Sequence, residues 1–315
     1  MIEQPAISAR APVPLSLNVC WAMARQVSRS WLDDYAPSMG AALAYYTLFS
    51  LAPLLLIVVS VAGLFFGEDA ARGEIAAQLG SLMGERSASA VQDLLASVKR
   101  PAEGAAVSVL GLVLLFVGAT TVFGELQDAL DRIWRVPARA RASGWLYLVR
   151  SRLLSFGMIL AIGFLLIVSL VASAALALAG RWGEAMFRGW YALATVTNAI
   201  GGFALVAVMF ALIYKVMPRA RVQWKDVWIG ALFTALLFLL GKSLIGWYVS
   251  SSGIASGFGA AGSLVVILLW VYYSAQIFLI GAEFTWVYAN AYGSRSGVNQ
   301  QSGATAPAAP SRLQD

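Results

Sequence analysis

A long apolar run carrying a single charge constrains this chain most. From Leu264 to Ala289 the residues are mainly Leu, Val, Ile, Ala and aromatics, and Glu283 is the only charged side chain. Such a run is long enough to cross a bilayer, which takes roughly 20 residues at about 1.5 Å each. Stepping back from Glu283 at helical spacing reaches Ile280, Gln276, Tyr273, Leu269 and Gly262. Tyr273, Gln276 and Glu283 therefore share one face of the predicted helix. A lipid-facing Glu is expensive, so that face is expected to point into protein or a wet cavity.

The rest of the chain has the same character. Of its 315 residues 60% are hydrophobic and only 12% are charged, where soluble domains carry about 25% charge. This is the composition of an integral membrane protein. There is no histidine and one cysteine, Cys20, which excludes an internal disulfide, a Cys/His zinc site and imidazole acid–base chemistry. No cofactor is expected. The net charge of +6 reads as Lys and Arg held at the cytoplasmic membrane surface, with membrane lipids rather than nucleic acid as the partner. The first 40 residues lack the pattern of a cleaved signal peptide.

The hydropathy pattern predicts an all-α protein with six transmembrane helices. Residues 1–14 read as a flexible tail and 15–36 as an amphipathic interfacial helix, with Leu17, Trp21, Ala24, Val27 or Ser28, and Trp31 on one face. A helix packed under the bundle is the alternative. Residues 37–290 form the membrane domain and 291–315 a disordered tail. The spans fall near 39–66, 105–123, 153–179, 191–216, 227–249 and 264–289. Short amphipathic helices are expected on the periplasmic side within 67–104. Pro53 sits inside the first span, where a proline predicts a kink packed against protein. Between the spans, 15 of the 22 Lys and Arg fall on one side and 6 on the other, which puts both termini in the cytoplasm. No similarity between the two halves suggests an inverted repeat.

Three features need weighing as sites. Gly241, Lys242 and Ser243 resemble the end of a phosphate-binding loop, but the leading glycine position holds Leu236 and the segment is an apolar helix. Lys242 and Glu283 do not form a pair, because Lys242 lies roughly 24 Å above the cytoplasmic helix ends and Glu283 roughly 9 Å. Lys242 is expected to snorkel outward near Trp247 and Tyr248. The depth of Glu283 matches that of Tyr45, Glu125, Asp128, Lys215 and Arg152, which suggests a polar cluster on the cytoplasmic side. Glu283 is either a functional carboxylate or a hydrogen-bonded structural one. Gly257, Gly259 and Gly262 form a small-residue hinge, read either as a cavity lining or as a flexible periplasmic turn.

Ala42 to Tyr46 with Ser50 to Leu54, Leu130 to Trp134, and Phe258 and Gly259 with Leu268 to Tyr272 and Gly281 to Glu283 form a further set of motifs. Together they resemble those of the YihY/BrkB family of bacterial inner-membrane proteins. Asp131 stands where the family more often has Asn, and Phe258 where it often has Tyr. The resemblance covers about residues 20–290. It implies six membrane helices, an N-terminal interfacial helix and no agreed activity, alongside an old ribonuclease label and a virulence label tied to envelope resistance. A nuclease needs a carboxylate metal cage or His/Lys acid–base groups. Here the carboxylates Glu125, Asp128 and Asp131 sit on one helix beside arginines, so no enzymatic activity and no metal site are expected. Two functions remain. One is a transporter or lipid-handling protein with a cavity near the sixth helix and a lipid or small molecule as substrate. The other is a non-catalytic envelope integrity or assembly factor.

Overall fold

The computed structural model describes residues 17–67, 121–137, 190–253 and 261–296, with isolated positions between 69 and 93 and at 157, 257 and 258. The expected second and third spans, most of the 67–104 connector and the tail 1–14 lie largely or wholly outside these residues. Among the described residues the long elements are all helices. They are α1 (Leu17–Asp33), α2 (Ala36–Phe66), α3 (121–133), α4 (Trp190–Val216), α5 (Trp224–Ser251) and α6 (Gly262–Ala291). Three stretches, Ala199–Val216, Trp224–Ser251 and Gly262–Ala291, are long and apolar enough to cross a membrane. A helix satisfies its own backbone, the condition for crossing hydrocarbon without water.

α1 and α2 meet at a two-residue turn. Tyr35 adopts a left-handed φ of 58°, and its carbonyl accepts from Met39 N at 3.1 Å. Pro37 falls in the first turn of α2, where a missing N–H leaves no gap in the ladder. α2 continues unbroken through Pro53; the side chains of residues 52–66 lie outside the description.

α5 and α6 run antiparallel and share a local repeat. Gly230-Ala231-Leu232-Phe233-Thr234 and Gly281-Ala282-Glu283-Phe284-Thr285 differ only at Leu232 and Glu283. Each glycine faces the other helix's threonine: Gly230 abuts Thr285, and Gly281 abuts Thr234. Phe233 and Phe284 stack with ring centroids 3.9 Å apart. Thr234 and Thr285 each donate to a carbonyl one turn back, Gly230 O and Gly281 O, both at 2.7 Å. Tyr214 from α4 donates to Phe278 O at 2.8 Å and lies 3.0 Å from Thr234 Oγ1. In lipid, helices associate through close packing and such hydrogen bonds, so small residues belong at this crossing.

One end of the bundle, here the foot, gathers the beginning of α2, the ends of α3, α4 and α6, and the beginning of α5. Leu130, Ile133, Trp134, Tyr214, Val227 and Leu279 form its core. α3 is tied to the α4–α5 loop by Asp131, fully buried, whose Oδ2 lies 3.2 Å from Arg219 Nη1. Its Oδ1 accepts from Arg219 N at 2.8 Å, and Gln127 Nε2 donates to Met217 O at 3.1 Å. The chain after α6 folds back on α5. Ser294 donates through both N and Oγ to buried Asp226, while Arg295 lies 4.9 Å over the Trp134 ring. Residues 292–296, which the sequence reading assigned to the tail, are thus packed against the foot. At the opposite end Ala90 and Val91 are buried with Ile245, Val249, Val266 and Ile267.

Candidate functional site

Glu283 lies in the last third of α6, on the face turned to α1 and the α1–α2 turn. It has no solvent exposure, and no N–H or hydroxyl donor bonds either carboxylate oxygen. The Asp34 carboxyl lies within hydrogen-bonding reach of it, a contact that bonds only when the two share a proton. The charged groups around it are Asp34, Arg135 and Asp33. Asp34 is itself buried, 5% exposed, at the end of α1. Arg135, just past α3, reaches Asp34 with Nη2 3.2 Å from Oδ2. This is the distance of an ion pair without hydrogen-bond alignment, since Asp34 Oδ2 has no aligned donor. The Arg135 guanidinium also covers the Trp286 ring at 5.2 Å, and its side chain is 52% exposed. Two buried carboxylates therefore face one half-exposed cation. A buried charge without its own partner is costly and calls for a positive group.

The backbone at this seam is constrained from two directions. Tyr35 and Arg135, at φ 58° and 54°, have left-handed conformations, which cost a non-glycine residue about 1 kcal/mol or more. One flanks Asp34 in the α1–α2 turn; the other is the cation that reaches it. Arg132 lies 5.6 Å over the Tyr35 ring, so the end of α3 grips the turn at two points.

The other sequence candidates separate around this seam. Gln276, buried two turns from Glu283, faces the same turn, with Nε2 3.5 Å from the carbonyls of Ala36 and Pro37 and its side chain against Gly40. Gln276 Oε1 has no partner. Tyr273 packs further from the foot, near Gly241 and Ile245. Tyr45 is 55% exposed and makes edge-to-face contacts with Tyr46 and Phe49. Asp131 is taken by Arg219, Asp128 is exposed and Glu125 is half-buried. No three of His, Cys, Asp and Glu come together as metal ligands among the described residues. Lys215 Nζ donates to Val222 O and lies 5.4 Å over the Trp224 ring; Arg152 is outside the described residues. Gly262 begins α6 and is buried, and Gly257 is exposed with its N–H on Gly253 O at 2.9 Å; Gly259 is not described. Lys242 follows Gly241, which abuts Ile277 and Tyr273, well away from Glu283 along α6.

Sequence reasoning missed Asp34 and Arg135. The available signal was the pair Asp33-Asp34 just before Pro37, two acids at a membrane-entry turn, and an arginine directly after Trp134.

These features define a helical membrane protein with a buried carboxylate seam where its sixth described helix meets the entry turn. The chain belongs to the family described as Virulence factor BrkB, which it matches over residues 27–305. It is 30% identical over 263 residues to a UPF0761 membrane protein of Pseudomonas paraeruginosa, covering 82% of this chain and 61% of that protein. It is 27% identical over 271 residues to a UPF0761 membrane protein of Tolumonas auensis, covering 82% of each. A relative from Neisseria meningitidis serogroup B is 28% identical over 276 residues, covering 86% of this chain and 64% of its own length. The chain thus spans about three-fifths of the length of its Pseudomonas relatives. No solved structure matches it.

Proposed function

We propose that this chain is a six-span inner-membrane protein, with both termini cytoplasmic, that transports or handles an amphiphile or small molecule of the cell envelope. The working group is Glu283, which binds a small cation or a polar part of the substrate during the cycle. The observation that supports this is the full burial of Glu283 against a second buried carboxyl, Asp34, with no N–H or hydroxyl donor on either Glu283 oxygen. No catalytic step is assigned to it. The competing reading, a non-catalytic envelope integrity or assembly factor, draws on the same burial: the seam is closed to solvent, as a purely structural joint would be.

Glu283→Gln and Glu283→Ala separate the two. Gln keeps the shape and removes the charge. For a working carboxylate, Glu283→Gln melts at or above the parent temperature in detergent but fails to complement an envelope-stress phenotype. For a structural joint, Glu283→Gln complements normally. There Glu283→Ala is the more damaging change, through the space it leaves in a packed seam. Complementation by Gln removes the transport reading.

A further inference from the structure

The lipid-facing side of α5 marks the bilayer boundary. Leu232, Leu236, Leu240 and Leu244 recur every fourth residue, and all are exposed. Trp228 is exposed at the foot end of this stripe, and Trp247 and Tyr248 at the other. Trp228 and Trp247 lie about 28 Å apart along the helix axis, close to the roughly 30 Å of a hydrocarbon core. Tryptophan collects at the two headgroup levels. The boundary at the foot therefore falls at Trp228 and Trp224, which is 48% exposed.

Immediately outside that boundary the α4–α5 loop borders an open depression of about 750 Å³, lined in part by Lys215, Arg221, Gln223, Trp224 and Lys225. Three of its side chains are cations and none is a carboxylate. Lys215 is fixed across the Trp224 ring with one N–H on Val222 O, which leaves two donors. Arg221 and Lys225 are exposed. Asp131 at the foot is paired with Arg219, while Asp226, in the first turn of α5, is buried and turned to Ser294 rather than lining the depression. α5 starts at this depression with no side-chain cap from Gln223, and the positive end of its dipole is offset in part by Asp226 in the first turn, so the three cations supply the positive potential.

We propose that this pocket binds the phosphate headgroup of an anionic phospholipid, whose acyl chains lie along the Trp228–Leu232–Leu236 side of α5. A basic pocket at the membrane surface attracts such headgroups. Depth distinguishes the lipid from soluble phosphate: the cations sit at headgroup level, and an exposed apolar track leads from them into the hydrocarbon. The site stands apart from the Glu283 seam, and its test does not depend on transport.

The test uses the purified full chain in neutral detergent, with bound lipid read by native mass spectrometry and folding by melting temperature. Phosphatidylglycerol, phosphatidylcholine and inorganic phosphate are titrated against the parent, Arg221→Gln/Lys225→Gln and Arg25→Gln, a control on exposed α1. The parent binds phosphatidylglycerol at least tenfold more tightly than phosphatidylcholine. Each charge removed weakens that binding about fivefold, so the double variant loses the selectivity while Arg25→Gln keeps it. Both substituted side chains are exposed; should the double variant not fold, Lys225→Gln alone shows the fivefold loss. Equal binding of the two lipids by the parent overturns the proposal, as does selectivity retained by the double variant or lost equally in Arg25→Gln. Full displacement of the lipid by millimolar phosphate makes it a soluble-anion site and overturns the lipid assignment.

Discussion

Gly281 lacks a side chain because two hydroxyls occupy the space one would need. A Cβ built there runs into Thr234 Oγ1 and the Tyr214 hydroxyl, both held by carbonyls. Neither can move without giving up a hydrogen bond in a setting where no water replaces it. Gly281→Ala is expected to cost about 1–3 kcal/mol, the usual range for overpacking. Thr234→Ala, which removes one of the colliding oxygens, recovers part of that loss when combined with it. The check is a double-mutant cycle on melting temperatures in detergent, where contacting residues are not additive. A Gly281→Ala protein as stable as the parent would show that the helices do not approach so closely. Legibility at this scale was partial. Helical spacing put Tyr273, Gln276 and Glu283 on one face; Glu283 meets the α1–α2 turn and Gln276 the start of α2, but Tyr273 packs beside Gly241 of α5. Spacing could not supply Asp34 or Arg135, because those partners come from segments far apart in the chain that only the foot's packing brings together.

The long helices were the most legible elements. The sequence reading placed spans near 39–66, 191–216, 227–249 and 264–289, and the structure has helices at Ala36–Phe66, Trp190–Val216, Trp224–Ser251 and Gly262–Ala291. An apolar run of bilayer length has little choice but helix, since any other backbone leaves unpaired groups in hydrocarbon. α1 was harder. Its pattern put Trp21 and Ala24 on one face with Val27 and Trp31, yet Val27, Ser30 and Asp34 are buried while Trp21 is 74% exposed. A short helix that touches protein on one side and a second surface on another has two apolar faces, and a single periodicity cannot divide them. If that second surface is the membrane interface, spin labels along residues 17–31 separate into three environments. Positions 27 and 30 are shielded from both oxygen and water-soluble relaxers. Position 21 is reached by oxygen in lipid, and 25 and 29 by the water-soluble agent. Water accessibility at 21 equal to that at 25 would place α1 off the membrane.

At the scale of the whole molecule, the foot restricts how the chain can cross. Asp34 with Arg135, Asp131 with Arg219 and Asp226 with Ser294 hold four junctions at the same end of the bundle: the start of α2, the end of α3, the α4–α5 loop and the end of α6. If the foot lies on one side of the membrane, each stretch between successive junctions is expected to cross it an even number of times. The six-span proposal requires two crossings in each of the three stretches. The foot also carries Arg132, Arg135, Lys215, Arg219, Arg221, Lys225 and Arg295, the cation-rich side of the 15-to-6 division. The expected orientation is the foot in the cytoplasm, since Lys and Arg near span ends stay on that side. Fusions of an alkaline phosphatase and a fluorescent reporter test number and direction together. Fusions after residues 137, 221 and 296 should all fluoresce and lack phosphatase activity, while one at residue 85 should show the reverse. If all four signals invert, the orientation is wrong and the even count survives. If the fusions at 137 and 221 report opposite sides, a stretch between junctions crosses an odd number of times. The ion pair from Asp131 to Arg219 could not then form, and the bundle would have to be rebuilt around a different foot.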